Sequence, residues 1–273
     1  MTGVIFDIKE LSLYDGPGTR VTVFMKGCPL RCIWCHNPEG IEKKPELMIK
    51  SSRCVQCGKC KYPCDHVECR PFERCIHACP NGCINVAGIS IEAQQLAGQL
   101  CNYRDFLEMN GGGITFSGGE PLLQPDFLCD VIDGLDGMHT AIQTCGYADS
   151  NVFRKVIDKV DYVMFDIKIA DPALHRKYIG TDNDIILKNF QYLRQCGRRY
   201  IVRTPMIPGI TDTQKNIMEI YDMIGDSNWE RLEYNTMAGA KYPMLGKTYF
   251  LEEQKHSDRR NDLQIRKIET KTL

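Results

Sequence analysis

Beyond residue 90 the chain alternates between short runs rich in β-branched and aromatic residues and longer segments whose apolar positions recur at helical spacing. "GITF" (113–116), "HTAIQT" (139–144), "DYVMFDIK" (161–168), "RYIVRT" (199–204) and "RLEYN" (231–235) are of the first kind. "IEAQQLAGQLCNYRDFLEM" (91–109) and "DIILKNFQYLRQC" (184–196) are of the second. Short apolar runs bounded by turn residues predict buried strands, and a 3.6-residue recurrence predicts helices that pack on them. With "VIFDIKE" (4–10) and "RVTVFMK" (20–26) as opening strands, the pattern predicts an α/β fold on a partial or full parallel (β/α) barrel. A doubly wound sheet is the structural rival.

Residues 41–88 interrupt this rhythm: they hold eight cysteines with scattered Pro, Gly and Lys and no periodicity. Such a stretch has too few apolar residues for a core of its own, and bound metal takes that place. The expected organisation is therefore a barrel start over 1–40, an inserted metal module over 41–88, and the rest of the barrel over 89–250. A polar C-terminal segment over 251–273 receives no role.

At 273 residues with a net charge of −1, the chain is long enough for one enzyme-sized unit and has no basic field that would draw nucleic acid. No apolar run reaches the ~18 residues of a membrane helix, and the first residues lack a secretory pattern, so a cytoplasmic location with no membrane partner is expected. Cysteine usage changes the picture most. Of 15 cysteines, 11 fall between Cys28 and Cys83, a density that points to bound metal in an intracellular chain. Cys101, Cys129, Cys145 and Cys196 are isolated and read as small buried hydrophobes.

Cys28, Cys32 and Cys35 stand at CxxxCxxC spacing within "FMKGCPLRCIWCHNPEG", directly after a predicted strand. Thiolates suit zinc or an iron–sulfur cluster. Zinc on three Cys and one His is the plain alternative, but His36 adjoins Cys35 and is poorly placed to complete the same tetrahedron. Three thiolates on a cubic 4Fe-4S cluster leave one iron open to a substrate.

CxxxCxxC with an aromatic, Trp34, before its last cysteine resembles the signature of radical S-adenosylmethionine (SAM) enzymes. "DGPGTRVTVFMKGCPLRCIWCHNPEG" followed by "GGGITFSGGEPLLQPDF" resembles, within them, the glycyl radical enzyme activating enzymes, the group of the pyruvate formate-lyase activase. The likeness runs from Ile5 to about residue 248. It implies a barrel of radical SAM type in which the open iron chelates the amino and carboxylate groups of SAM. One electron from the cluster then yields methionine and a 5'-deoxyadenosyl radical, which abstracts an α hydrogen from a glycine of a partner glycyl radical enzyme. It further implies flavodoxin or ferredoxin as electron donor.

Working residues of a βα barrel gather at the C-terminal strand ends. There the resemblance gives Gly118, Gly119 and Glu120 of "SGGE" to the amino end of SAM, and it makes Trp34, Thr144 and Asn235 further cofactor contacts. Lys168 and Arg203 are cationic partners for the SAM carboxylate, and Asp166 serves the ribose or a nearby cation. Two positions depart from the pyruvate formate-lyase activase: Gln143 stands where that enzyme has an acidic residue, and Asn235 where it has a histidine. Gln143 removes a negative charge that a monovalent cation beside SAM would use. Asp15 in the "DGPGTR" turn is a candidate contact for the partner.

In the insert, Cys54, Cys57, Cys60 and Cys64 have the CxxCxxCxxxC spacing of bacterial ferredoxins. The second half keeps Cys69, Cys75 and Cys79 followed by Pro80, with Phe72 at the second cysteine position and Cys83 beyond. Because the fourth cysteine of each run ligates the other cluster in such ferredoxins, two further 4Fe-4S clusters are expected. Cys54, Cys57, Cys60 and Cys79 would hold one, and Cys64, Cys69, Cys75 and Cys83 the other. Zinc, or one cluster with spare thiols, are the alternatives. Two rival functions stay open: another radical SAM enzyme with auxiliary clusters, such as a peptide or sulfatase maturase, and a ferredoxin-like carrier. Maturases usually carry extra cysteines after the barrel, and a carrier needs no long βα scaffold.

Overall fold

The computed structural model describes residues 1–251. Six strands run parallel: β2 (Arg20–Met25), β6 (Gly113–Gly118), β7 (Thr140–Thr144), β8 (Tyr162–Asp166), β9 (Arg199–Met206) and β10 (Trp229–Glu233). Two more complete the sheet in antiparallel sense, β1 (Thr2–Ser12) beside β2 and β5 (Ile89–Glu92) beside β1. The order is β10-β9-β8-β7-β6-β2-β1-β5, so the barrel is partial, with edges at β5 and β10. "VIFDIKE" is thus a strand but not the start of a parallel βα unit. A parallel neighbour would need a crossover, and only Leu13–Thr19 joins it to β2.

Crossover helices cover the outer face: α1 (Ala93–Cys101), α2 (Arg104–Met109), α3 (Pro125–Gly134), α4 (Ser150–Ile157), α5 (Pro172–Ile179), α6 (Asp184–Gln195) and α7 (Gln214–Ile224). The segment 91–109, read as one amphipathic stretch, divides: Ile91 and Glu92 extend β5, and the helix breaks at Asn102 and Tyr103. Ile114, Phe116, Val163, Phe165 and Val202 from the sheet meet Leu96, Leu128, Phe153, Phe190 and Ile220 from the helices in one apolar core. Each such side chain contributes about 1.5–3 kcal/mol on full burial.

A separate antiparallel ribbon joins β3 (Glu46–Ile49) to β4 (Ile84–Ala87), and the chain between them has only short 3-10 turns. The cysteine-rich residues 50–83 therefore leave and return through one ribbon. The polar segment given no role lies, apart from Leu251, outside the described residues. No helix among the described residues is long and apolar enough to cross a membrane.

Candidate active site

The loop after β2 is held by backbone bonds from three sides. Gly27 and Cys28 donate their N–H to the carbonyls of Gly40 and Ile41 (2.8 and 2.9 Å), which closes the loop on itself. Arg31 and Ile33 donate to Ile179 and Tyr178 at the end of α5 (2.8 and 3.1 Å). Those are helix-terminal carbonyls that lack an intrahelical partner, so the helix end is a ready acceptor. The helix is fixed in turn by Asp171, whose side chain caps Ala173 and Leu174, by Pro172 in the first turn, and by Gly180 at φ +88°. Glu120 N–H reaches Gly27 O (2.7 Å), and Gly119 N–H reaches Met25 O (2.8 Å), so the "SGGE" turn is the third side.

Cys28, Cys32 and Cys35 line one cavity of about 570 Å³ at the C-terminal ends of the parallel strands. Ser117 and Gly118 at the end of β6 with Gly119 just beyond, Gln143 and Thr144 at the end of β7, Asp166 at the end of β8 with Lys168 beyond it, and Asn235 beyond β10 line the same cavity. Trp34 also reaches it, but most of its ring packs with Leu30, Ile169, Ile179 and Ile207 beneath the loop.

Burial pushes the Cys28 and Cys35 thiols up and raises Cys32 to about 12, while backbone N–H groups of Leu30 and Asn37 pull Cys28 and Cys35 the other way. Burial by itself therefore favours the neutral thiols, and a metal that takes the sulfur must displace the proton. Lys168 and Asp166 form a pair at 2.9 Å with side chains 13% and 16% exposed. Burial works against the ammonium, yet the Asp166 carboxylate beside it, the largest of the raising causes, leaves Lys168 above its ordinary value. The second Asp166 oxygen, Oδ1, is buried without a hydrogen-bond partner among the described residues, and Asp166 lines the cavity.

Two expected contacts are used elsewhere. Glu120 accepts from Thr144 Oγ1 (2.6 Å), Cys145 N (2.8 Å), Cys145 Sγ (2.9 Å) and Leu122 N (3.1 Å) and is not among the cavity-lining residues. Burial raises its carboxyl above the usual range, with these bonds opposing. Arg203 donates to Glu230 Oε2 and to Tyr14 O, both at 2.7 Å, and binds the "DGPG" turn to the edge strand instead of lining the cavity. Sequence reasoning did not single out Lys241, which pairs with Glu39 (2.5 Å), or Tyr242, whose hydroxyl donates to Cys35 O (3.1 Å). Cys145, read as an isolated hydrophobe, is buried and also borders the cavity. Of its surroundings Thr144 and Glu120 were singled out in the sequence, but not their contact with Cys145.

In the insert, Cys54, Cys57, Cys60, Cys79 and Cys83 line one small cavity of about 30 Å³. Cys64, Cys69 and Cys75 lie apart from it, and their sulfurs come together with a ring nitrogen of His66. Cys83, expected with Cys64, Cys69 and Cys75, lines the first cavity beside Cys79 instead. Cys83 O accepts from Lys50 N (2.8 Å) at the foot of the ribbon, and Cys83 N–H points to Cys79 Sγ (3.3 Å), so the β4 start holds it on the other side.

An open parallel sheet with a three-thiol loop at its mouth defines an enzyme class, and comparison with known proteins agrees. The model of the radical SAM superfamily matches residues 90–224, and that of a 4Fe-4S single cluster domain matches residues 14–60. The (2S)-3-sulfopropanediol sulfolyase activating enzyme of Bilophila wadsworthia is 34% identical over 287 residues, 92% of this chain and 91% of that protein. The trans-4-hydroxy-L-proline dehydratase activating enzyme of Clostridioides difficile is 33% identical, covering 93% of this chain and 91% of its own length. Streptococcus suis SuiB bound to its precursor peptide SuiA shares the fold, with a TM-score of 0.52 at 14% identity over 81% of this chain and 40% of that one. The chain belongs to the activating enzymes of glycyl radical enzymes. It is a radical SAM enzyme that uses a 4Fe-4S cluster and SAM, and its substrate is a glycyl radical enzyme.

Proposed function

We propose that Cys28, Cys32 and Cys35 hold the SAM cluster, with one iron left free, and that the cavity they line receives SAM. The observation that carries this is the gathering of three half-buried thiols and the mostly buried Asp166–Lys168 pair around one cavity. When bound, the cluster and SAM together supply a 5'-deoxyadenosyl radical that takes a glycine α hydrogen from the partner. The protein's own part is to bind, orient and exclude water. Lys168 presents a positive charge for the SAM carboxylate, and Asp166 Oδ1 accepts from the ribose or meets a cation. The Gly118 and Gly119 backbone faces the amino end. Trp34 holds the cluster loop, and Asn235 lies beside that loop, with its Nδ2 3.4 Å from His36 Nε2. Glu120 acts as a brace through Thr144 and Cys145. Arg203 anchors the turn that carries Asp15, where Leu13 and Tyr14 are exposed apolar neighbours for the partner's glycine loop.

Residues 41–88 are best read as one inserted unit between 1–40 and 89–250. Cys54, Cys57, Cys60 and Cys79 have the cysteine set of a ferredoxin cluster and the shared cavity to go with it, and this cluster relays electrons from flavodoxin or ferredoxin. Anaerobic incubation of the reconstituted enzyme with SAM and dithionite gives 5'-deoxyadenosine; none from a fully loaded protein would reject the enzyme reading. Cys32→Ala abolishes this cleavage. Cys57→Ala keeps part of it, since dithionite reaches the SAM cluster directly; equal and complete loss with the SAM cluster intact would contradict the relay.

A further inference from the structure

We propose that Cys64, His66, Cys69 and Cys75 form a mononuclear zinc site, a Cys3His tetrahedron within the insert and separate from its iron–sulfur cluster. The four ligand atoms all lie within 4.8 Å of one another, and Cys75 Sγ is 3.8 Å from His66 Nδ1. Zinc bonds of ~2.3 Å to sulfur and ~2.0 Å to nitrogen place tetrahedral ligands about 3.5–4 Å apart. A cubane instead binds each outer ligand to a different iron at a corner of the cube, which spreads them farther. The same chain supplies the comparison: among the described residues this is the one compact set of its kind, and Cys28, Cys32 and Cys35 at the SAM cluster do not form another.

The sequence points the same way. Phe72 stands where the second ferredoxin half needs its cysteine, so three thiols are left on this side, and Cys83 is held against Cys79. His66 takes the fourth place because the turn closed by Cys69 N–H on His66 O (3.1 Å) carries its ring over Cys75. Ile76 N–H points to Cys69 Sγ (3.4 Å), an outer bond that favours a metal-bound thiolate. His77 packs edge-on against His66 with ring centres 4.8 Å apart and is itself bonded to Glu68 Oε1 (2.8 Å), which fixes the ring.

The role follows from the link to the neighbouring site. Cys75 N–H donates to Cys60 O (2.9 Å) and Arg74 Nη1 lies 3.5 Å from Cys60 Sγ, so an ion that fixes Cys75 also fixes Cys60. Residues 50–83 have little apolar core, and zinc supplies their rigidity.

The test is metal content and zinc K-edge absorption of the anaerobically purified full chain. Expected are about one zinc per chain with three sulfurs and one nitrogen, a fivefold or greater loss of zinc in His66→Ala, and retention with four sulfurs in His66→Cys, which also guards against misfolding of the alanine variant. Wild-type protein without zinc and with about twelve irons, three cubanes, would overturn the proposal, as would undiminished zinc in His66→Ala. The proposal rests on the cluster reading of Cys54, Cys57, Cys60 and Cys79 only for the iron count. Cys57→Ala separates the two: iron unchanged there refutes that cluster and leaves the zinc result standing.

Discussion

Lys168 and Asp166 show what one pair of residues does for the site. With both charges mostly buried, removal of one leaves the other without compensation, and Lys168→Met should cost about 3–5 kcal/mol. The double variant Asp166→Asn/Lys168→Met should recover most of that stability in thermal unfolding while SAM cleavage stays lost. Recovery of both would make the pair structural only. Glu120 makes the contrasting case. Its four bonds all run inward, so Glu120→Gln, whose amide cannot accept on both sides, should lower stability by about 1–3 kcal/mol and weaken SAM affinity less than Lys168→Met does. Titration calorimetry with SAM compares the two. That Glu120 and Lys168 mattered was legible from motif and strand end. Their partners were not, because a side chain's bonds depend on residues such as Cys145 that only the packed strands bring near.

At the scale of elements, the "SGGE" turn and the cluster loop behave as one piece. A Cβ on Gly119 would lie 2.2 Å from Gly27 O and 2.5 Å from Gly40 O, both backbone, so nothing flexible can yield. Gly119→Ala should therefore destabilise by about 2–4 kcal/mol and reduce iron at the SAM cluster. Gly82→Ala in the insert meets nothing within 4 Å and has only its φ of +57° to oppose it, at about 1–2 kcal/mol. Melting temperature and iron content distinguish them. The glycines that the resemblance gives to the amino end of SAM are first of all room for the loop that carries the cysteines. The strand and helix rhythm was readable since burial on one face repeats locally. The antiparallel β1 and the division of 91–109 were not, since both depend on which neighbour a segment meets.

Across the whole molecule, Lys26 ties the insert to the barrel. Its side chain is fully buried, and its ammonium donates to Glu39 O (2.6 Å) behind the cluster loop and to Glu46 Oε2 (3.1 Å) at the ribbon base. Glu46 is shared with Lys247 (2.7 Å). Lys26→Met should loosen the ribbon by about 1–3 kcal/mol, seen as faster proteolysis within residues 50–83 with barrel protection unchanged. By itself the sequence determined the βα rhythm, the three-thiol loop and the family likeness, because each is written in residues close along the chain. The tertiary structure decided the open edge of the barrel, the turning of Arg203 to Tyr14, 189 residues away, and the meeting of His66 with three cysteines. Those depend on which groups folding brings within bonding distance, and local pattern carries no record of that.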